Sequence, residues 1–403
     1  MKTTALIVFA LTLSTTVAAR PVPDPARSPP MGWNSWNWHG KPAINETIVR
    51  ETIDAMVSSG LRDAGYNHVV VDGGWRDTQL GPDGKLYAHP GKFPGGMKAL
   101  ADYAHARGLK FGVHVVPGTH DCGGDRVGGF GHEEVQVGQF VEWGLDFIKL
   151  DKCKFEPGWT EAQVKAVYLK WSELLGRCGR DMIYSISAYE HRDWYPQVCH
   201  LARTTYDITC RCNGGAVFDD GRTENRTGKF LSVMTIAGIN DSSAAHAGHG
   251  YWNDPDMLSL GEQGLGAEEQ KSHFALWCIM TAPLMLGNDP RHMTAGERDL
   301  VLNREAIAID QDPTEQGRRI VQRDGTEVWA KKLRDGRLAV LLLNRDAKAT
   351  KSITFRRGDG GPAGNWQVRD VFGQNDLGGF DGEITKSAPP HGCWLLLISS
   401  QPD

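Results

Sequence analysis

Between Met31 and Asp310 the apolar positions alternate between two rhythms. Short runs rich in Val, Ile, Leu and Phe read as strands buried on both faces. They are Met31–Asn37, His68–Asp72, Lys110–Val116, Phe147–Asp151, Met182–Ser187, Thr204–Ile208, a weak one before Asp254, and Pro283–Asn288. Between them the spacing is helical. Val49, Ile53, Met56 and Val57 share one face, and Gly60 can close that helix. The run TEAQ, Thr160 to Gln163, is a capping box, and Val164, Val167, Trp171, Leu174 and Leu175 follow at helical spacing. TAGE, Thr294 to Glu297, repeats the device. Strand and helix alternating about eight times over roughly 250 residues predict an α/β fold with a parallel sheet, a (β/α)8 TIM barrel.

After Pro313 the helical rhythm stops. RRIVQRD, TEVWAKKL, RLAVLLLNRD, KSITFR, NWQVRDVF and CWLLLISS are short apolar runs split by turn residues, which predicts an appended antiparallel β-sandwich domain. The other end reads MKTTALIVFALTLSTTVAARP. A basic Lys2, an apolar core and small residues before a cleavage point after Ala19 predict a signal peptide. The expected division is residues 1–19 as signal peptide, 27–312 as catalytic barrel and 313–403 as sandwich. The mature protein is then secreted or periplasmic, with no later segment apolar for long enough to span a membrane.

Composition changes this picture only a little. The 403 residues carry a net charge of -5 with no basic stripe, which gives no support for nucleic-acid binding. Thirteen Trp are many, and indole faces suit sugar rings as well as cores. Eight Cys in an exported chain permit disulfides, and no Cys-x-x-Cys pair suggests a zinc knuckle. HVVPGTHDC and HAGHG gather possible metal ligands, but their spacing fits no defined metal motif.

In a barrel of this kind the C-terminal strand ends carry the chemistry. Read in order they give Trp36, Asp72, His114, Asp151, Ser187, Asp207, Asp254 and Asn288. A buried carboxylate without company is costly, so acids closing apolar strands require polar partners or an open cleft. In FIKLDKCKF, Lys149 and Asp151 point to the same side of one strand, and a nearby ammonium keeps a carboxylate ionised, as a nucleophile needs. In ARTTYDI, Arg203 precedes Asp207 by four residues and Asp207 is expected to end its strand. Two carboxylates facing one cleft are the minimal equipment for glycoside hydrolysis.

PPMGWNSWNWHG, HVVVDGGW, KFPGGMKALADYAHARGLKFGVH, IKLDKC, RTTYDI, YWNDPDML and APLMLGNDP occur in this order. Together they resemble glycoside hydrolase family 27 of clan D, the α-galactosidases and α-N-acetylgalactosaminidases, along essentially the whole mature chain. The resemblance implies a retaining exo-glycosidase that cleaves terminal α-D-galactosides of oligo- or polysaccharides through a covalent intermediate, without metal or cofactor. It implies that Asp151 is the nucleophile and Asp207 the acid/base. Lys149 and Arg203 match contacts to sugar hydroxyls, Trp36 an aromatic floor, and Asp72 the grip on the C4 and C6 hydroxyls. Asp256 matches the motif position nearest the sugar. Cys122 and Cys153 match a disulfide across two strand-end loops.

Four positions depart from the family pattern. Gly73 stands where α-galactosidases carry a second acid, which removes an acceptor and opens space at the C6 end. His114 stands where eukaryotic members have Tyr. Ser187 and Ala188 are small where α-galactosidases place bulky residues against the C2 hydroxyl. Ile186 replaces a Cys, leaving Cys199 without the family partner. A β-L-arabinopyranoside, an α-N-acetylgalactosaminide and a 6-substituted galactoside therefore stay open as substrates. A non-catalytic carbohydrate-binding protein on the same fold is the rival class, and the intact Asp151, Asp207, Lys149 and Arg203 argue against it.

Overall fold

The computed structural model describes residues 25–153, 155, 158–222, 229–248 and 250–400. The expected signal peptide lies outside them. Eight parallel strands form one sheet: Met31–Asn34, His68–Val71, Lys110–Val115, Phe147–Asp151, Ile183–Ser187, Leu201–Arg203, Trp252–Asp254 and Leu284–Leu286. The last pairs with the first, Met31 opposite Leu284. Between the seventh and eighth the pairing shrinks to one parallel bridge, Leu258 with Leu286, where Leu258 N–H donates to Met285 O at 2.8 Å. This is the (β/α)8 architecture with one irregular connection. From the fifth to the sixth strand the chain carries only the 3₁₀ turn Tyr195–Gln197 among the described residues.

The helices follow the apolar spacing. Asn45 caps Glu46–Ser58, whose Val49, Ile53 and Met56 are buried. Thr160 and Gln163 close their reciprocal cap on Glu161–Arg177, and Thr294 with Glu297 does the same for Ala295–Val301. Each cap satisfies backbone N–H groups that a helix start leaves open.

Most expected strands shift by one or two residues at an end, and two differ by three or more. The first strand stops at Asn34 because its side-chain oxygen accepts from Trp36 N–H at 2.9 Å, and Trp36 opens the helix Trp36–Ala43. The sixth strand is Leu201–Arg203, not Thr204–Ile208. The threonines have high β propensity, but their hydroxyls are committed elsewhere: Thr204 donates to Asn240 Oδ1 at 2.8 Å and Thr205 to Tyr206 O at 2.8 Å. Asp207–Ile208 leaves the barrel and pairs with Phe230–Leu231 instead.

The C-terminal part is antiparallel. A six-stranded sheet runs in the order Arg318–Arg323, Thr326–Lys332, Leu338–Asn344, Cys393–Ser400, Trp366–Asp370, Asn375–Phe380, and a second pair joins Lys351–Arg356 to Glu383–Ala388. Leu338–Asn344 is buried throughout. Its Val340 and Leu342 face Phe355, Trp366 and Ile398, while Ala339, Leu341 and Leu343 face the barrel. That explains an unbroken apolar run in a sheet where alternation is the rule. Asn375–Phe380 and Glu383–Ala388 have no counterpart in the sequence reading, because the first is largely exposed and glycine-containing and the second keeps only alternate positions buried. No helix among the described residues is long and apolar enough to cross a membrane.

Candidate active site

Twelve of the candidate residues named from the sequence line one pocket of about 140 Å³ at the C-terminal strand ends: Trp36, Asp72, Gly73, His114, Cys122, Lys149, Asp151, Cys153, Ser187, Arg203, Asp207 and Asp256; Asp254 and Asn288, also expected at strand ends, do not line it. At its inner end Asp72 is buried and fully engaged. One carboxylate oxygen accepts from Lys149 Nζ at 2.8 Å and Asn34 Nδ2 at 2.9 Å, and the other from Gly73 N–H at 2.8 Å. Burial alone would raise the Asp72 carboxyl, but the charges of Lys149 and His114 hold it well below the usual range. Burial likewise opposes the Lys149 ammonium, and Asp72 and Asp151 more than compensate, lifting it well above an ordinary lysine.

The two glycines after Asp72 have different reasons. Gly74 has φ +103°, and a Cβ there would lie 2.6 Å from Lys41 O. Gly73 has no such backbone demand. Its Cβ would stand 3.2 Å from the Trp36 ring, so the room expected in place of a second acid is shared with that indole.

Asp151 ends the fourth strand. His114 Nε2 lies 3.1 Å from one oxygen, and Tyr189 donates its hydroxyl to the other at 2.6 Å. A carboxylate only accepts, so Nε2 donates to Asp151, while Nδ1 is buried with no hydrogen-bond partner among the described residues. Burial would raise the Asp151 carboxyl. The His114 bond, the Lys149 charge and the Tyr189 bond outweigh it and keep the group below its ordinary value.

Asp207 behaves in the opposite way. It sits at the pocket rim with its side chain 39% exposed, 3.2 Å from Arg203 Nη1. Burial pushes its carboxyl up to about 6 against the pull of Arg203, and the neighbouring Asp256 and Asp151 add repulsion. Arg203, not Asp207, is the residue that closes the sixth strand. Its guanidinium reaches Asp256 Oδ2 at 3.0 Å and Thr205 O at 3.1 Å, and its buried Nε has no partner among the described residues.

Two residues that line the pocket hold left-handed backbone without being glycine, Tyr189 at φ +66° and Asp256 at φ +80°. Such conformations persist only when surroundings over-determine them. Asp256 accepts from Ile208 N–H and Met257 N–H at 2.8 Å each, and its carbonyl accepts from Trp277 Nε1 at 2.8 Å. Cys122 and Cys153 are disulfide-bonded, with Cα atoms 4.6 Å apart, and join the loops beside His114 and Asp151.

Sequence reasoning missed Tyr189, Asn34 and Arg76. Tyr189 lies inside YSISAYE, but nothing local shows that its hydroxyl reaches the fourth strand. Arg76 follows Trp75 directly, is buried, and donates to His114 O at 3.1 Å. Among the described residues two groups gather three ligand-type atoms within 4.8 Å. One is His114, Asp151 and Cys153, whose sulfur is committed to the disulfide; the other is His191, Asp193 and His246.

A barrel whose strand-end pocket sets Asp151, pulled below its ordinary value, against Asp207, pushed above it, carries the pair of carboxyls that cleavage at a sugar requires, and the protein is a glycoside hydrolase. The comparisons give the family. The family model for alpha galactosidase A matches residues 28–312, and that for the alpha galactosidase C-terminal beta sandwich domain matches 323–398. The chain is 36% identical to alpha-galactosidase 2 of Arabidopsis thaliana over 93% of this chain and 90% of that one. It is 35% identical to alpha-galactosidase A of Cellvibrio japonicus over 98% and 97%. The crystal structure of alpha-galactosidase I from Mortierella vinacea matches with a TM-score of 0.86 at 30% identity, covering 93% of this chain and 98% of that one. A β-L-arabinopyranosidase from Geobacillus stearothermophilus shares the fold, with a TM-score of 0.80, 23% identity and 93% and 97% coverage. The chain belongs to the α-galactosidase family, glycoside hydrolase family 27.

Proposed function

We propose that the protein is an exo-acting glycosidase that removes terminal α-D-galactosyl groups with retention of configuration. The observation that carries this reading is the division of labour between two carboxyls in one pocket. Asp151, held ionised, attacks the anomeric carbon as the glycosidic C–O bond breaks, and Asp207 gives its proton to the departing oxygen. Water then attacks the glycosyl–enzyme ester, Asp207 takes its proton back, and Asp151 leaves as a carboxylate. Asp72, Lys149 and Trp36 hold the sugar at the end away from the scissile bond, and Arg203 and Asp256 complete the wall. The α-galactosidases among its relatives support the galactose specificity. The first product seen by NMR during hydrolysis of an aryl α-galactoside is expected to be α-galactose. Release of the β-anomer first would overturn the mechanism.

A second reading concerns the sugar. Gly73 supplies no carboxylate, and Ser187 is a small wall residue, so an arabinopyranoside or an N-acetylgalactosaminide is compatible with the pocket. Aryl glycosides of the three sugars decide between them. A strong preference for the plain galactoside, unchanged in Gly73→Asp, would remove the second reading.

A further inference from the structure

His191, Asp193 and His246 gather outside the catalytic pocket, since none of them lines it. His191 and Asp193 belong to the connection from Ile183–Ser187 to Leu201–Arg203, which contains no α-helix among the described residues. His246 ends the 3₁₀ turn Ala244–His246 and is the first residue of HAGHG, a run whose spacing alone fits no metal motif. Folding supplies the partners that the spacing lacks. One donor atom from each of the three side chains lies within 4.8 Å of the other two. The two imidazoles stand 4.3 Å apart between centroids with planes 40° apart, and Tyr195 backs His191 edge-on at 6.3 Å. Two imidazolium rings that close repel each other, which favours the neutral ring, the form that ligates metals.

The spacing of the carboxylate points the same way. His191 Nε2 is 3.7 Å from Asp193 Oδ1, too far for a hydrogen bond. Two ligands on a tetrahedral zinc, each about 2.1 Å from the ion, are about 3.4 Å apart. The pair is therefore spaced for an ion between its atoms rather than for a shared proton. The His191 side chain is only 12% exposed and is fixed by packing, while that of Asp193 is 93% exposed and leaves the ion a way in from solvent. We propose that His191, Asp193 and His246 bind a divalent transition-metal ion of the zinc type, with water completing its coordination. Two imidazoles with one carboxylate select such an ion over magnesium or calcium, which take oxygen ligands. The ion ties a helix-free connection to the neighbouring 3₁₀ turn. That connection carries Tyr189, whose hydroxyl reaches Asp151, so the tie steadies a pocket residue while its ligands stay outside the pocket.

The test titrates tag-free protein, stripped with a chelator, with zinc chloride in a calorimeter and follows its melting with and without zinc. One ion per chain with a micromolar Kd and a raised melting temperature are expected. His246→Ala and Asp193→Asn should each weaken binding at least about tenfold, the loss that removing even a supporting partner of a metal ligand brings, and should abolish most of the rise in melting temperature. Asp193 is exposed, so Asp193→Asn is expected to melt like the unmodified protein when zinc is absent, which keeps the test open if His246→Ala folds poorly. Cobalt in place of zinc separates this site from the exposed thiol of Cys212, because nitrogen and oxygen ligands give no sulfur-to-cobalt charge-transfer band. No binding at millimolar zinc, binding unchanged in either variant, or a sulfur-to-cobalt band would overturn the proposal.

Discussion

Lys149 in the pocket and Lys331 at the junction of barrel and sandwich are both buried beside an aspartate, yet they are driven in opposite directions. Lys149 meets the Asp72 carboxylate at 2.8 Å, and both stay charged. Lys331, on the strand Thr326–Lys332, turns its ammonium to backbone, donating to Ile309 O and to Asp310 O. Burial pushes Lys331 down to about 8, and burial pushes the Asp310 carboxyl well up, with one of its oxygens left without a partner. The same two residue types are a charged tool in one place and a poorly compensated pair in the other. What separates them is whether a carboxylate oxygen lies within hydrogen-bonding reach of the ammonium, because desolvation is common to both.

The largest expected effect tests the charged side of this contrast. Asp151→Ala should lower kcat on an aryl α-galactoside on the order of 10⁴-fold or more, with the fold retained by thermal melting. Near-normal turnover would remove Asp151 as nucleophile. Asp207→Ala should lose about 10²–10⁴-fold. Azide should restore part of that rate and yield the α-galactosyl azide, since the nucleophile remains, and absence of rescue counts against the acid/base role. Lys149→Met strips the cation from a buried Asp72 and should cost about 3–5 kcal/mol in denaturant unfolding. Lys331→Met should be neutral or stabilising by about 1 kcal/mol near pH 7. If the two methionine variants behave alike, the contrast is wrong.

Two pH experiments sharpen it. Asp207 must be protonated to act as acid, so kcat/KM is expected to decline as pH rises through about 6. Lys331 titrates near 8 in the folded chain and near 10.5 when unfolded. Between those values the unfolded chain holds a proton that the folded chain has released, so stability from this group grows with rising pH and is lost as pH falls through 8. Unmodified protein should therefore gain on Lys331→Met between pH 8 and 10 in paired melting curves. A constant gap would show that Lys331 does not titrate there.

The site was legible wherever a catalytic group sits on an element whose pattern is strong. Asp72 and Asp151 close apolar runs, and Lys149 shares a face with Asp151 by strand alternation alone. Asp207 was legible as a residue and misplaced as structure, because Thr204 and Thr205 look like strand and spend their hydroxyls on side-chain and loop bonds. The strand Asn375–Phe380 escaped notice because it buries too little apolar surface to show a period.

The sequence by itself determined the alternation of strand and helix, the sandwich that follows, the acids at the strand ends and the family. These follow from periodicity and from local order, which a linear chain displays. The tertiary structure decided which carboxyl is pulled below its ordinary value and which is pushed above it. It also placed the Tyr189 hydroxyl on Asp151 and brought the Trp36 ring over Gly73. A carboxyl's charge state depends on burial and on donors from strands far away in the chain, and those distances exist only once the barrel has closed.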